Sequence, residues 1–431
     1  MGPLATSPPP ASTPIGGVIA LVAQLPVAAM VAYLDILSIA AVLWRRTPPD
    51  TATLRRFAVL VPAHDEELLL PVLLRSLNAL DYPREFYDVH VVADNCTDRT
   101  ASVAASAGAT VHERRDKTLR GKGYALRWLL NRLQERDDET PYDAYVVVDA
   151  DSIVSPTFLT VMNRYLVRGD AAVQAYYGVL NRDESWPATL RYVALALYND
   201  LRPRGRDALG LSAGLRGNGM CFTAALIERF GWEAFTLAED AEFHLQLVEA
   251  GIKVSFAPDA VVLAEMPTSL RQARSQNMRW ERGRLQMLRS FGPRLLAQGL
   301  IRRDPARLDA VSEQLVPPLS LLTGLSVLNL ALSAVSRGKA ARRLSVAVVV
   351  GQVAYVATGL RLVNADRRAY AALLTAPFYV VWKIVLYTMA AVGLDDGAWV
   401  RTPRSTAPVT TPEPSTGAAV LVNEAAALVT T

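Results

Sequence analysis

Long apolar runs at both ends of the chain constrain its fold more than any other feature. Residues 16–44 contain a single charge, Asp35. The apolar pattern returns near the C-terminus in three runs that share one charge, Lys383. Those runs are 314–336, 344–360 and 369–394. Because a membrane span needs ~20 consecutive apolar residues, the sequence predicts a transmembrane helix over 16–44 and about three transmembrane or re-entrant helices within 311–394. Asp35 and Lys383 are costly in lipid, which makes them candidates for functional or inter-helix roles.

The basic residues predict how these segments are oriented. Four arginines follow the first run, and no basic residue precedes it; they are Arg45, Arg46, Arg55 and Arg56. The positive-inside rule then places the N-terminus outside and residue 45 onward in the cytoplasm. We therefore expect a multi-pass protein of the inner or plasma membrane. The run 314–336 contains Pro317 and Pro318 and precedes a basic loop, so a re-entrant helix fits it better than a simple span.

Composition excludes several classes of protein. Hydrophobic residues make up 51% of the chain and charged residues 20%, against ~25% charged residues in an average soluble domain. The net charge of +4 is small for 431 residues, so we expect no nucleic-acid partner. Cys96 and Cys221 cannot form a disulfide framework or a cysteine zinc site. Residues 1–15 are predicted to be a flexible N-terminus and residues 395–431 a disordered tail.

The middle of the chain, residues 45–285, shows short apolar runs that alternate with helical patterns. The apolar runs are 57–61, 89–93 and 144–148, and the helical patterns that follow them are 66–80, 97–107 and 156–167. Strands that alternate with helices predict an α/β domain with a mostly parallel sheet. Beyond this domain, the Arg- and Leu-rich segment 286–310 is typical of an amphipathic helix lying at an anionic membrane surface.

Carboxylates follow two of the predicted strands, where ligands bind in open parallel sheets. Asp94 follows one strand, and Asp149 and Asp151 follow another. Two carboxylates so close together repel each other unless a cation lies between them, and Mg²⁺ is typically held by one or two carboxylates together with substrate phosphates. The pair therefore predicts a nucleoside-diphosphate site with Mg²⁺ or Mn²⁺. Taken alone, such aspartates are more often turn or helix-cap residues.

Four further features strengthen this interpretation. Lys122 lies between two glycines at a helix start, where it can approach a phosphate. A glycine-rich loop occupies 214–219, and a group of acids including Glu239 and Asp240 begins another helical pattern. The fourth feature is a helical face formed by Gln276, Arg279 and Trp280.

The order of these pieces resembles that in membrane-bound family 2 glycosyltransferases, such as cellulose, hyaluronan and poly-N-acetylglucosamine synthases. The matching pieces are Val61-Pro62-Ala63-His64-Asp65-Glu66-Glu67, Asp94, Gly121-Lys122-Gly123, Asp149-x-Asp151, Glu239-Asp240 and Gln276-x-x-Arg279-Trp280. The resemblance implies a GT-A domain, with a Rossmann-like and mostly parallel sheet, flanked by transmembrane helices. Ala238 departs from the family pattern, which often has Thr before the Glu-Asp pair, and Asp65 stands where Asn is common.

The resemblance also implies roles for individual residues. Asp240 would be the general base that takes a proton from the acceptor hydroxyl, and Asp149 with Asp151 would hold Mg²⁺ or Mn²⁺. The remaining residues would bind the two substrates. Nucleotide-sugar binding would fall to His64, Glu66, Asp94, Lys122 and Asp149, and the acceptor and pyrophosphate to Glu239, Gln276, Arg279 and Trp280.

The expected reaction is a one-step, inverting transfer from a UDP-sugar, either UDP-glucose or UDP-N-acetylglucosamine. The first candidate product is a β-linked polysaccharide that grows at the membrane, with an export partner subunit as a further expectation. The alternative is a single addition that makes a glycolipid, which four predicted membrane segments also fit. A third reading, a non-enzymatic scaffold or transporter component, is disfavoured because every expected acid is present.

Overall fold

The computed structural model describes residues 14–45, 47–135, 141–335 and 338–391. The predicted tail 395–431, nearly all of the predicted flexible N-terminus, and Arg46 lie outside the described residues. Within the described ranges, a mixed α/β domain is followed by a group of apolar helices that also packs on the N-terminal helix.

The α/β domain is built on one eight-stranded sheet with the order β3-β2-β1-β4-β7-β6-β8-β5. The strands are β1 Phe57–Ala63, β2 Tyr87–Asp94, β3 Thr110–Arg114, β4 Ala144–Val147, β5 Ser152–Val154, β6 Ala172–Val179, β7 Met220–Thr223 and β8 Ser255–Ala264. Strands β1 to β4 pair in parallel, and β6 pairs in parallel with β8. β7 runs antiparallel to both β4 and β6, and β5 runs antiparallel to β8. The predicted mostly parallel α/β sheet is confirmed.

Both faces of the sheet are covered by helices. Along β1, Val59 and Val61 pack into one apolar core while Ala58 and Leu60 pack into the other, which explains why the strand is continuously apolar. The first core is covered by α2 Leu70–Asn78, α3 Thr100–Ser106 and α5 Phe158–Arg168, and the second by α4 Lys122–Gln134, α8 Ala224–Phe230 and α9 Glu239–Glu249.

Two further helices lie beside the sheet and carry the chain toward the apolar helices. They are α6 Trp186–Ala196 and α7 Arg202–Ala208, joined by a π-helical turn over Leu197–Leu201. Helix α7 packs against the N-terminal helix α1 Pro14–Val42. A Cβ added at Gly205 would lie 2.3 Å from the carbonyl oxygen of Leu37, so this contact requires a residue without a side chain.

The apolar helices are α1, α12 Leu319–Val335, α13 Lys339–Leu362 and α15 Ala376–Ala391, with the short α14 Arg367–Ala372 before the last. Three stretches of the described chain are long and apolar enough to cross a membrane: 21–42, 339–362 and 367–388. A fourth candidate is the pair formed by α11 Pro305–Leu315 and α12, which is bent by 75°. The bend lies at Val316-Pro317-Pro318, inside the run for which a re-entrant helix was predicted.

Helix α10, Leu270–Arg302, is longer than the sequence analysis anticipated. It joins the Gln276–Trp280 face and much of the predicted interfacial segment 286–310 into one helix of 33 residues. Part of its apolar face is covered by protein, because Met287, Phe291 and Leu295 pack against α9 and α11. Leucines on another side of α10, including Leu296 and Leu300, remain exposed, so the interfacial role stays a prediction.

Candidate active site

The predicted site residues lie at two places, the carboxyl edge of the parallel strands and the helices packed beside it. Asp94 is the last residue of β2, and Asp149 follows β4 by two positions. β1 lies between β2 and β4 and ends just before His64. Parallel pairing of these three strands therefore places all three residues at one edge of the sheet.

His64 and Asp94 are in direct contact. The His64 ring nitrogen Nδ1 lies 2.7 Å from the carbonyl oxygen of Asp94. The Asp94 carboxylate is nearly buried and accepts a hydrogen bond of 2.6 Å from Arg114, which is buried at the end of β3. Sequence reasoning missed Arg114; its position at the end of the strand next to β2 is the signal that could have found it. This ion pair fixes the orientation of Asp94 before any ligand arrives.

The loops after β1 and β2 hold each other in place. Asp65 has a positive φ of 55°, and its carboxylate accepts a 2.6 Å hydrogen bond from the Thr97 amide. The Glu66 amide donates to the Thr100 hydroxyl at 2.8 Å. Ligand atoms of Asp65, Cys96 and Asp98 lie within 4.8 Å of one another, so this group could also hold a metal ion. The helix predicted from residue 66 begins only at Leu70, because residues 64–69 form this turn instead.

Lys122 lies at the centre of the site, at the N-terminus of α4. Its ammonium group is 2.5 Å from Asp149 Oδ1 and 3.6 Å from Glu239 Oε1, and it also donates to the Gly217 carbonyl. Burial acts to lower the pKa of Lys122, but the carboxylates of Asp149 and Glu239 outweigh it and raise the pKa. One cation thus joins three segments that are far apart in the sequence.

The glycine-rich loop 214–219 closes the site on one side. Gly217 has a φ of +80°, and a Cβ built there would lie 3.3 Å from Asp240 Oδ2. Next to it, the Asn218 side chain accepts a hydrogen bond from the Asp149 amide at 3.1 Å and donates to Ser152 at 2.8 Å. Sequence reasoning did not single out Asn218, whose partners are more than sixty residues away.

Asp151 follows Asp149 by two residues and is part-buried, with its Oδ1 accepting a 3.3 Å hydrogen bond from Ser152. These carboxylates supply the oxygen donors that Mg²⁺ and Mn²⁺ prefer. Their position beyond the end of β4, next to a lysine suited to phosphate, fits a divalent ion carried with a diphosphate.

Glu239 and Asp240 occupy the first turn of α9. Burial raises the pKa of both carboxyl groups, that of Glu239 to about 7, while Lys122 opposes the shift. Glu242, the third acid of this turn, has a different role, because its carboxylate accepts hydrogen bonds from the Phe235 and Thr236 amides at 2.9 Å. Two of the three acids therefore remain candidates for proton transfer.

These raised pKa values predict a pH dependence. A carboxyl group with a raised pKa stays protonated to higher pH, and a general base works only when it is deprotonated. Because the pKa of Glu239 is raised to about 7 and the two acids titrate as a coupled pair, we expect kcat/KM for sugar transfer to rise with pH up to about 7 and to level off above it. A pH–rate profile at fixed metal concentration measures this, and a flat profile from pH 5 to 8 would contradict it.

The Gln276–Trp280 face of α10 borders the apolar helices. Gln276 accepts a hydrogen bond of 2.5 Å from the buried Arg191 of α6, and Trp280 is 41% exposed. Next to Gln276, Asn277 accepts a 2.6 Å hydrogen bond from Lys383 of α15. Lys383 of α15 therefore bonds to a residue of another helix, as the inter-helix prediction requires.

Arg279 lies on the same helix, one turn before Gly283. Gly283 packs so closely on Ala238 that an added Cβ would lie 2.6 Å from the Ala238 Cβ. This contact brings α10 against the start of α9, directly before Glu239. The structure therefore places the helix that carries the predicted acceptor face beside the part-buried acid pair.

Comparisons with known proteins support the same interpretation. The chain is 26% identical over 293 residues to β-monoglucosyldiacylglycerol synthase from Nostoc sp. This match covers 63% of this chain and 62% of that protein. It is 25% identical over 247 residues to a probable glucomannan 4-β-mannosyltransferase from Oryza sativa subsp. japonica, covering 55% of this chain and 44% of that one. The chain thus spans less than two thirds of the length of either relative.

The fold is shared with a solved mannosyltransferase from Pyrobaculum calidifontis in complex with GDP-Man and Mn²⁺. The TM-score is 0.53 at 17% identity, and the match covers 88% of this chain and 99% of that one. At that identity, the likeness establishes the fold. The model of the family described as "Glycosyltransferase like family 2" matches residues 55–283, which include the sheet, the glycine-rich loop and the Gln276–Trp280 face. The chain therefore belongs to the family 2 glycosyltransferases.

Proposed function

We propose that this chain is an inverting hexosyltransferase that moves a sugar from a UDP-sugar to a lipid acceptor at the membrane surface. One observation carries the proposal: Lys122 joins Asp149, at the edge of the sheet, to Glu239, which is adjacent to Asp240. A cation suited to a diphosphate thus lies beside a part-buried acid pair suited to proton transfer. Cytoplasmic orientation of the domain and a multi-pass topology are part of the proposal, supported by the arginines that follow the first apolar run.

The donor would bind at the edge of the parallel strands. Asp94, held by Arg114, would contact the nucleoside, and the loop containing His64 and Glu66 would complete that pocket. Asp149 and Asp151 would hold Mg²⁺ or Mn²⁺, which supplies positive charge to the departing diphosphate. Lys122 would move from its contact with Asp149 to the diphosphate, since both are anionic oxygen groups within reach of one flexible side chain.

The acceptor hydroxyl would lie between Asp240 and the Gln276–Trp280 face. Asp240 would remove the hydroxyl proton as the acceptor oxygen attacks the anomeric carbon. A new carbon–oxygen bond forms as the bond from that carbon to the diphosphate oxygen breaks, and the nucleoside diphosphate leaves. A single in-line displacement inverts the configuration, so a β-linked product is expected from an α-linked donor. Arg279 and Glu239 would line the diphosphate and acceptor ends.

The packing of the apolar helices favours a lipid acceptor. Buried polar side chains in this helix group bond across helices: Ser345 donates to Gln24 at 2.9 Å, and Gln352 donates to Thr323 at 3.0 Å. Leu34, Leu37 and other apolar residues fill the space between the helices. A hydrated polysaccharide needs a lumen with polar groups to bind, whereas the Ser345 hydroxyl and the Gln352 amide already bond to neighbouring helices. The outer faces carry exposed leucine, valine and phenylalanine residues suited to contact with lipid tails.

A growing β-linked polysaccharide, which the sequence analysis placed first, is the second candidate. It is favoured by the similarity to a glucomannan 4-β-mannosyltransferase. An export partner subunit would then supply the conduit for the polymer.

Product size separates the two candidates. Membranes that contain the chain would be incubated with Mn²⁺ and labelled UDP-glucose, UDP-N-acetylglucosamine or GDP-mannose, with membranes carrying the Asp240→Asn variant as control. We expect one organic-extractable product from a UDP-sugar, absent from the control. A ladder or a high-mass polymer would establish the second candidate, and labelling from GDP-mannose alone would overturn the assignment of the donor.

A further inference from the structure

A buried charged cluster lies outside the site, where α11 meets the α/β domain. Glu313 of α11 pairs with Arg202, Arg206 and Arg216. Its carboxylate lies 3.5 Å from both Arg202 and Arg216, and all four side chains are at most 6% exposed. One carboxylate thus faces three guanidinium groups in a region from which water is largely excluded.

The cluster reaches the apolar helices on two sides. Arg202 donates a 2.8 Å hydrogen bond to the Tyr355 hydroxyl of α13, and Arg206 donates a 2.9 Å bond to the Tyr33 hydroxyl of α1. Tyr33 in turn donates to Asp309 at 2.8 Å, and Asp309 lies one turn before Glu313 on α11. The charges therefore tie α1, α11 and α13 to the catalytic domain.

Arg216 connects this cluster to the site. It belongs to the glycine-rich loop and directly precedes Gly217, whose carbonyl accepts the Lys122 hydrogen bond. The Arg216 amide donates to Gln174 of β6 at 2.8 Å, and its guanidinium lies 4.0 Å from the centre of the Tyr198 ring. The backbone of the loop is thus bonded to the sheet at Arg216, and the Arg216 side chain pairs with Glu313 of α11.

We propose that Glu313 is a positioning residue for sugar transfer, one that holds Arg216 and thereby sets the glycine-rich loop against Lys122 and Asp240. This role rests on the proposed function. Removing a buried carboxylate leaves its cationic partners uncompensated, so they move toward other acceptors or toward water. Arg216 is the partner that belongs to a loop rather than a helix, so its displacement carries Gly217 with it.

The matched control is Asp309. It lies on the same helix, is buried to a similar degree, and also pairs with Arg206, at 3.1 Å. Among the described residues, Asp309 makes no hydrogen bond or ion pair with Arg216; its partners are Tyr33 and Arg206. A purely structural role predicts lower stability in both variants without a selective rise in loop exchange, whereas a positioning role predicts that selective rise in Glu313→Gln.

The test compares both variants in the full-length chain, with amide hydrogen exchange in residues 213–220 as the first readout. Glu313→Gln should increase exchange in this loop, and Asp309→Asn should leave loop exchange near that of the unmodified protein. The second readout is kcat with saturating donor, which should fall by about tenfold to a hundredfold in Glu313→Gln and by less than about threefold in Asp309→Asn.

A second variant keeps the proposal testable if Glu313→Gln does not fold. Arg216→Gln should reproduce both the loop exchange and the loss of kcat, and the double variant should lose no more than the worse single variant. Equal loop exchange in Glu313→Gln and Asp309→Asn would overturn the proposal, whether or not a sugar donor has been identified. A selective rise in loop exchange without sugar transfer in the unmodified protein would instead count against the proposed function.

Discussion

Asp240→Asn should reduce sugar transfer by about 10²–10⁴-fold, the range that a general base contributes. Asparagine has nearly the same size as aspartate but cannot accept the acceptor proton. Because burial already disfavours the charged form of Asp240, the neutral variant should unfold at the same temperature as the unmodified protein or slightly above it. Loss of activity with stability retained is the signature to measure, by product formation and by thermal unfolding.

The control for this variant is Glu249→Gln at the other end of α9, where Glu249 pairs with Arg294 at the surface. It should retain full activity. Asp240→Asn retaining more than about a tenth of the activity would contradict the assignment of the base. The proton would then pass to Glu239, whose pKa is raised to about 7, and Glu239→Gln would carry the loss instead.

Removing divalent metal should abolish transfer, and adding Mn²⁺ or Mg²⁺ should restore it. Asp151→Asn should raise the metal concentration needed for half-maximal activity by about tenfold or more, because a neutral amide replaces an anionic ligand. Asp151 is a cleaner probe than Asp149, since Asp149 also pairs with Lys122. Titration of chelated protein with Mn²⁺, followed by product formation, measures the shift.

Asp98→Asn is the comparison variant, because Asp98 belongs to the other acidic group that could hold a metal. Its carboxylate accepts hydrogen bonds from the Glu67 and Thr100 amides, and we expect no change in metal requirement. A shift in Asp98→Asn without one in Asp151→Asn would move the metal to the loops after β1 and β2. Full activity after chelation would exclude a metal requirement altogether.

The sequence predicted β1, β2 and β4, because buried parallel strands are continuously apolar and helices follow them at short range. It missed β3, whose residues are mostly polar and partly exposed. It did not predict the antiparallel partners of β7 or the pairing of β5 with β8. Those pairings join segments that lie tens to more than a hundred residues apart, and no local pattern encodes them.

The same distinction applies to the site. The sequence around Lys122, Asp149 and Glu239 marks each of them as a candidate. Only the folded structure shows that the three form one ion-pair cluster. Arg114 was missed because its strand, β3, was not predicted, and Glu313 was missed because an isolated glutamate in a helix carries no signal of burial. Their partners identify them, and those partners lie 20 and 97 residues away.

The contact between Gly283 and Ala238 sets the distance between α10 and the start of α9. Because only one methyl group lies between the backbones, α10 packs closely on the start of α9. A threonine at 238, which the resembling synthases often carry, would add two heavy atoms at this contact, and we expect it to push α10 away from Glu239 and Asp240. The distance of α10 from Glu239 and Asp240 therefore depends on the small side chains at positions 238 and 283.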